Sequence, residues 1–192
     1  MKKSLVVCRM DNKEVETYQQ KKRRLFGRFH HMAAYLEELG CLLNVEKRED
    51  DIWSIVKSDA FVEKAKGLEW TLLFKDVFPF KNKELLQEVL KNYVEDWNVP
   101  YSLFISHSEY CGLVSISSLY EINWYLYFPD EIICLTRMDY KEHIIVDYYK
   151  EDDEELIEVE IKKSLGMKVA GCGLRFGLMV QKMIGNFYWA IQ

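Results

Sequence analysis

The chain has 192 residues, of which 49% are hydrophobic and 14% aromatic, with three prolines, five cysteines and a formal net charge of −5. A chain of this length buries about 70% of its unfolded surface, so it needs neither metal nor disulfide to fold. The mildly acidic balance excludes a general affinity for nucleic acid or anionic membrane. Scarce proline argues against disorder and long linkers, so residues 1–192 are expected to form one domain. Cys8, Cys41, Cys111, Cys134 and Cys172 are scattered and never spaced as Cys-x-x-Cys, a pattern that suits reduced thiols. Leu5–Cys8 is too short an apolar run for a signal peptide, and no segment reaches the length of a membrane span. The expected location is therefore the cytoplasm.

Asp11 with Glu14 three positions on has the form of a capping box. Val15, Tyr18, Leu25, Phe29, Met32, Leu36 and Leu39 then recur at helical spacing, and Gly40 stands where a C′ residue belongs. The helix would be about 40 Å long at about 1.5 Å per residue, with Gly27 a place for it to bend. It carries Lys21, Lys22, Arg23, Arg24, Arg28, His30 and His31, either an anion contact or a solvated face. Four consecutive charges splay around a helical turn, which favours the solvated face. Asp50 or Asp51 is expected to cap a second helix that stops at Gly67. Trp70–Val77 reads as a strand, and Asn82 as the cap of a third helix with Leu85, Leu86, Val89, Leu90, Tyr93, Val94 and Trp97 in a broad stripe.

From Tyr101 to Tyr149 apolar and aromatic residues alternate between short polar breaks, as in an antiparallel sheet. At its centre, Asn123–Arg137 is expected to form a hairpin around Phe128–Glu131. In that pairing Leu126 opposes Ile133, Trp124 opposes Leu135 and Tyr125 opposes Cys134. Trp124, Leu126, Phe128, Ile133 and Leu135 would face the core. Tyr125, Tyr127, Ile132 and Cys134 would form a second face, apolar enough to need a covering layer or a partner. His143–Tyr149 and Leu156–Lys162 read as further strands on either side of the acidic run Glu151–Glu155. In residues 164–191, Val169, Cys172, Phe176, Val180, Met183, Phe187 and Ile191 keep a helical period, with Lys168, Arg175 and Lys182 opposite. The expected fold class is α+β: N-terminal helices, then a mostly antiparallel β-sheet with a C-terminal helix packed on it.

Several patterns carry candidate chemistry. Pro129-Asp130 with Glu160-Ile161-Lys162 resembles the PD-(D/E)xK pattern of metal-dependent nucleases. That resemblance implies Asp130 and Glu160 as ligands of a divalent cation and Lys162 as the catalytic lysine that orients the attacking water. Lys168–Gly173 resembles the pyrophosphate-binding turn of the GNAT acyltransferases, which implies backbone N–H groups holding acyl-CoA phosphates. Ser106, His107 and Glu109 are close in sequence, but alternating directions keep them from forming a nucleophile relay among themselves. His107, His143, Cys111 and Cys134 could meet across strands at zinc, though none is paired at ligand spacing.

Without a nucleophile relay, a local ligand cluster or a phosphate loop, no metal or cofactor is expected. The leading expectation is a non-enzymatic, cytosolic protein-binding module, an inhibitor or immunity-type protein that neutralises one partner. The alternative is the metal-dependent nuclease. The partner would be a protein, basic in character, and would meet Tyr148, Tyr149, Asp152, Asp153, Glu154 and Glu155. Membrane and nucleic acid are not expected partners, and self-association is left open.

Overall fold

The computed structural model describes residues 16–126, 128–129 and 131–165. The Asp11/Glu14 box, Cys8, Cys172, the Lys168–Gly173 turn and the expected C-terminal helix all lie outside the described residues. Within them the N-terminal helix opens on a capping box: the Thr17 hydroxyl accepts from Gln20 N at 3.3 Å, and Gln20 Oε1 accepts from Thr17 N at 2.9 Å. Helix α1 (Tyr18–Lys22) runs through a π turn (Arg23–Gly27) into α2 (Arg28–Leu42). Gly27 allows a close approach there: a Cβ on it would lie 3.1 Å from the Tyr110 carbonyl oxygen, a tight contact. Gly40 is not the C′ residue: α2 continues past it because Leu42 is buried and Leu43 N still reaches Leu39 O at 2.8 Å.

The sheet has six antiparallel strands in the order β1-β6-β5-β4-β2-β3. They are β1 (Trp70–Pro79), β2 (Tyr101–Phe104), β3 (Val114–Ile116), β4 (Glu131–Arg137), β5 (Glu142–Glu151) and β6 (Glu154–Ser164). Alternation assigns the faces. Leu103, Ile133, Leu135, Ile144, Val146, Tyr148, Ile157, Val159 and Ile161 all point one way and are fully buried. Two helices supply the opposite wall of this core, α2 through Tyr35 and Leu39, and α4 (Glu84–Tyr93) through Leu86 and Leu90. Lys83 precedes α4, and Asn82, its expected cap, ends a 3₁₀ turn.

The second face is covered at one end by α3 (Ile55–Lys66), whose Phe61 clusters with Trp53, Leu113, Phe104 and Tyr140. Ser54 caps this helix through a 3.2 Å bond from Lys57 N, while Asp50 and Asp51 belong to the preceding 3₁₀ turn. α5 (Ser108–Cys111) leads into Gly112, held at φ +105°, where a Cβ would lie 2.5 Å from Trp53 O.

The expected Asn123–Arg137 hairpin does not form. β4 pairs instead with β2 and β5, so that Leu135 opposes Leu103 and Ile144. The preceding segment is tied to the helices: Asn123 N donates to Leu42 O at 2.8 Å and Trp124 Nε1 to Leu119 O at 3.1 Å. Trp124 therefore reaches the core from a turn, while Leu126 is left exposed. Among the described residues no helix is long and apolar enough to cross a membrane.

Candidate functional site

Strands β5 and β6 pair as far as Glu151↔Glu154, which leaves Asp152 and Asp153 as a two-residue turn. Both have positive φ, 47° and 66°, as the primed hairpin turns require and aspartate tolerates. Strain-tolerant residues and charge coincide here, and the turn leaves Glu151–Glu155 exposed. Lys150 meets Asp153 at 3.1 Å and Lys81 meets Glu154 at 3.1 Å; Glu151, Asp152 and Glu155 have no ion pair among the described residues.

The two tyrosines beside this turn separate. Tyr148 has no exposed surface and lies on the core face, so it cannot meet a partner. Alternation along β5 turns Tyr149 the other way, onto the second face, where it is half-buried. Its hydroxyl is held above the ordinary phenol range by burial and by the carboxylates of Glu158, Glu151 and Asp147. The surface therefore combines one aromatic side chain with a concentrated negative field.

Farther along the second face, Lys75 Nζ bridges Glu158 at 2.5 Å and Glu160 at 2.6 Å, and Lys162 Nζ meets Glu160 at 2.5 Å. Burial alone would raise the Glu160 carboxyl, but the bonds from Lys162 and Lys75 outweigh it and hold it below its usual range. Glu160 and Lys162 are thus brought together, two positions apart on β6, as members of an internal ion-pair ladder. Asp130 lies outside the described residues. β5 stands between β4 and β6.

The four zinc candidates are dispersed. Cys111 is in the core, Cys134 and His143 are on the second face, and His107 lies beside α2. No group of three or more His, Cys, Asp or Glu side chains is gathered for a metal among the described residues. The three arginines of the basic run on the first helix meet the protein's own groups, while Lys21 and Lys22 are exposed. Arg23 Nη1 pairs with Asp59 at 2.7 Å, Arg24 Nε with Glu16 at 3.0 Å, and Arg28 donates to Cys111 O at 2.8 Å and Trp53 O at 2.5 Å.

One cluster escaped the sequence reading. Glu131, at the start of β4, is buried on the core face, where its Oε1 accepts from Ser106 N at 2.6 Å. Its carboxyl is pushed up to about 7 by burial, the Ser106 N–H opposing that rise and a hydrogen bond with the neighbouring Glu38 reinforcing it. Glu38 Oε2 in turn meets His107 Nδ1 at 2.7 Å, and Ser106 Oγ lies 3.5 Å from that same nitrogen. A nucleophile relay needs the serine on one ring nitrogen and the carboxylate on the other, so this is not one. The available signal was parity: Glu131 is in phase with Ile133 and Leu135, which made a carboxylate on the core face legible.

No protein-family model, curated protein or solved structure matches this chain.

Proposed function

We propose that the protein is a non-enzymatic protein-binding module that neutralises one basic partner, in the manner of an inhibitor or immunity protein. Its binding surface is the β5–β6 turn with Tyr149. The observation that carries this reading is the exposed turn itself, where Glu151, Asp152 and Glu155 have no ion pair among the described residues and Tyr149 lies alongside on the second face. Glu151, Asp152 and Glu155 supply charge for steering, and Tyr149 supplies an anchor with few rotors. Ile132 and Val77 lie on the same face at 45% and 42% exposure, giving the patch an apolar margin. Steering of this kind depends on ionic strength, because exposed charges more than about 10 Å apart are screened at about 0.1 M salt.

The test is capture from host lysate with the tagged full chain, comparing wild type with Tyr149→Ala/Asp152→Lys/Glu155→Lys at low and high salt. The expected result is a stoichiometric basic protein that the wild type holds, that salt weakens, and that the folded triple variant loses. A partner retained equally by the variant, or no stoichiometric partner at all, contradicts the reading.

A further inference from the structure

At the end of the sheet opposite the Glu131 cluster, the core face opens into a cleft of about 140 Å³ between the residue following Val94 and the last residues of β4 and β6. It is lined by Glu95, Arg137, Lys141, Glu142, Lys163 and Ser164. Glu142 is only 1% exposed, because it is in phase with Ile144, Val146 and Tyr148 on β5. Its Oε2 accepts from the Tyr101 hydroxyl at 2.6 Å. Burial and this carboxylate raise the Tyr101 hydroxyl far above its ordinary range, so it remains a donor at every physiological pH. The other oxygen, Oε1, is buried with no hydrogen-bond partner among the described residues.

An unpaired buried carboxylate oxygen is costly, and a ligand that brings a donor to it recovers that cost on binding. The rest of the wall says what the ligand's other end must be. Arg137 meets Asp139 through Nε at 3.0 Å, and Lys141 reaches the same carboxylate at 3.5 Å. Two cations thus share one carboxylate. Lys163 pairs with Glu95 at 2.5 Å across the mouth. The lining holds three cations (Arg137, Lys141, Lys163) and two carboxylates (Glu95, Glu142), with Asp139 meeting Arg137 and Lys141 from outside it, so the wall offers both signs of charge and suits a ligand that carries both. Its volume is well below the roughly 300 Å³ at which drug-sized sites begin, and suits a molecule of a few heavy atoms.

We propose that this cleft binds a small zwitterion of the α-amino acid class, its ammonium on Glu142 Oε1 and its carboxylate across Arg137 and Lys141. The site is independent of the turn that bears Tyr149, and its occupancy does not require a protein partner.

The test is calorimetry and ligand-observed NMR on the full chain with glycine, alanine and glutamate, with methylamine and acetate as single-ended controls. Glu142→Gln retains an oxygen for Tyr101 and removes the charge. Lys141→Ala, at an exposed position, guards against a folding defect in the first variant. The expected result is that at least one amino acid saturates the wild type and the two controls do not. Each folded variant should then weaken that amino acid by about tenfold or more, the loss of one charged hydrogen bond. Failure of all three amino acids to bind overturns the proposal, as does equal binding by either control. Unchanged affinity in folded Glu142→Gln, or in Lys141→Ala if the first variant does not fold, overturns it too.

Discussion

Glu131→Gln is expected to leave the fold intact and to change how stability depends on pH. The glutamine keeps an oxygen for Ser106 N, which lies 2.6 Å from Glu131 Oε1, and offers its amide to Glu38. Glu131 rises from an ordinary 4.5 to about 7 on folding, so the folded protein holds a proton that the unfolded chain has lost. Its contribution is fully present below pH 4.5 and is lost as pH rises to about 7. At about 1.4 kcal/mol per unit, the loss is about 3 kcal/mol. His143 works in the opposite sense: burial, with Lys162 nearby and Glu160 partly opposing, lowers it from 6.5 to about 4. Its contribution is present above pH 6.5 and fades, by about 3 kcal/mol in all, as pH falls to about 4. The two slopes cancel between pH 4.5 and 6.5, where the wild type should be nearly flat. Urea unfolding from pH 4 to 8 separates them. Glu131→Gln should match the wild type near pH 4.5 and exceed it by about 3 kcal/mol at pH 8. A difference between the two proteins that is the same at both ends would refute the buried, protonated carboxyl.

Other outcomes follow from the same packing. Arg28→Met keeps the apolar stem but strands the carbonyls of Cys111 and Trp53, two charge-assisted bonds; urea unfolding should show a loss of about 3–5 kcal/mol with an unchanged slope. Gly112→Ala should cost about 3 kcal/mol or more, because φ is +105° and the new methyl meets Trp53 O at 2.5 Å; a thermal midpoint within error of wild type would contradict that crowding. Glu160→Gln removes ion pairs to the half-exposed Lys75 and to Lys162, and should shift stability by about 1 kcal/mol or less. With Mg²⁺ or Mn²⁺ present, neither wild type nor Glu160→Gln should cleave nucleic acid; cleavage by the wild type that the variant loses would restore the nuclease reading.

Strands β5 and β6 were legible because each buries only one face, so period-2 alternation marks their existence and orientation; their ends run on to Glu151 and Glu154, where the charged residues carry no apolar signal. The hairpin at Asn123–Arg137 was misread for the same reason. Trp124, Leu126 and Phe128 alternate as a strand would, but a 3₁₀ turn at Leu119–Glu121 and the bond from Asn123 N to Leu42 O commit that segment to the end of α2. Such tertiary ties leave no local signal. Of the expected surface, Tyr149 and the acidic turn stand where alternation and charge put them, whereas Tyr148, its neighbour, had to fall on the buried side. The carboxylates Glu131 and Glu142 were readable by phase with the apolar positions of β4 and β5. Their partners, Glu38, Ser106 and Tyr101, come from distant elements and were not.

Hydrogen exchange on the captured complex locates the binding surface most directly. Binding through the turn should protect the backbone amides of Lys150–Glu155 and of their strand neighbours on the second face, a protection absent from the free protein and removed by high salt. Protection confined to α2, α4 or the Glu142 cleft, with the β5–β6 turn exchanging as freely as in the unbound chain, would contradict it.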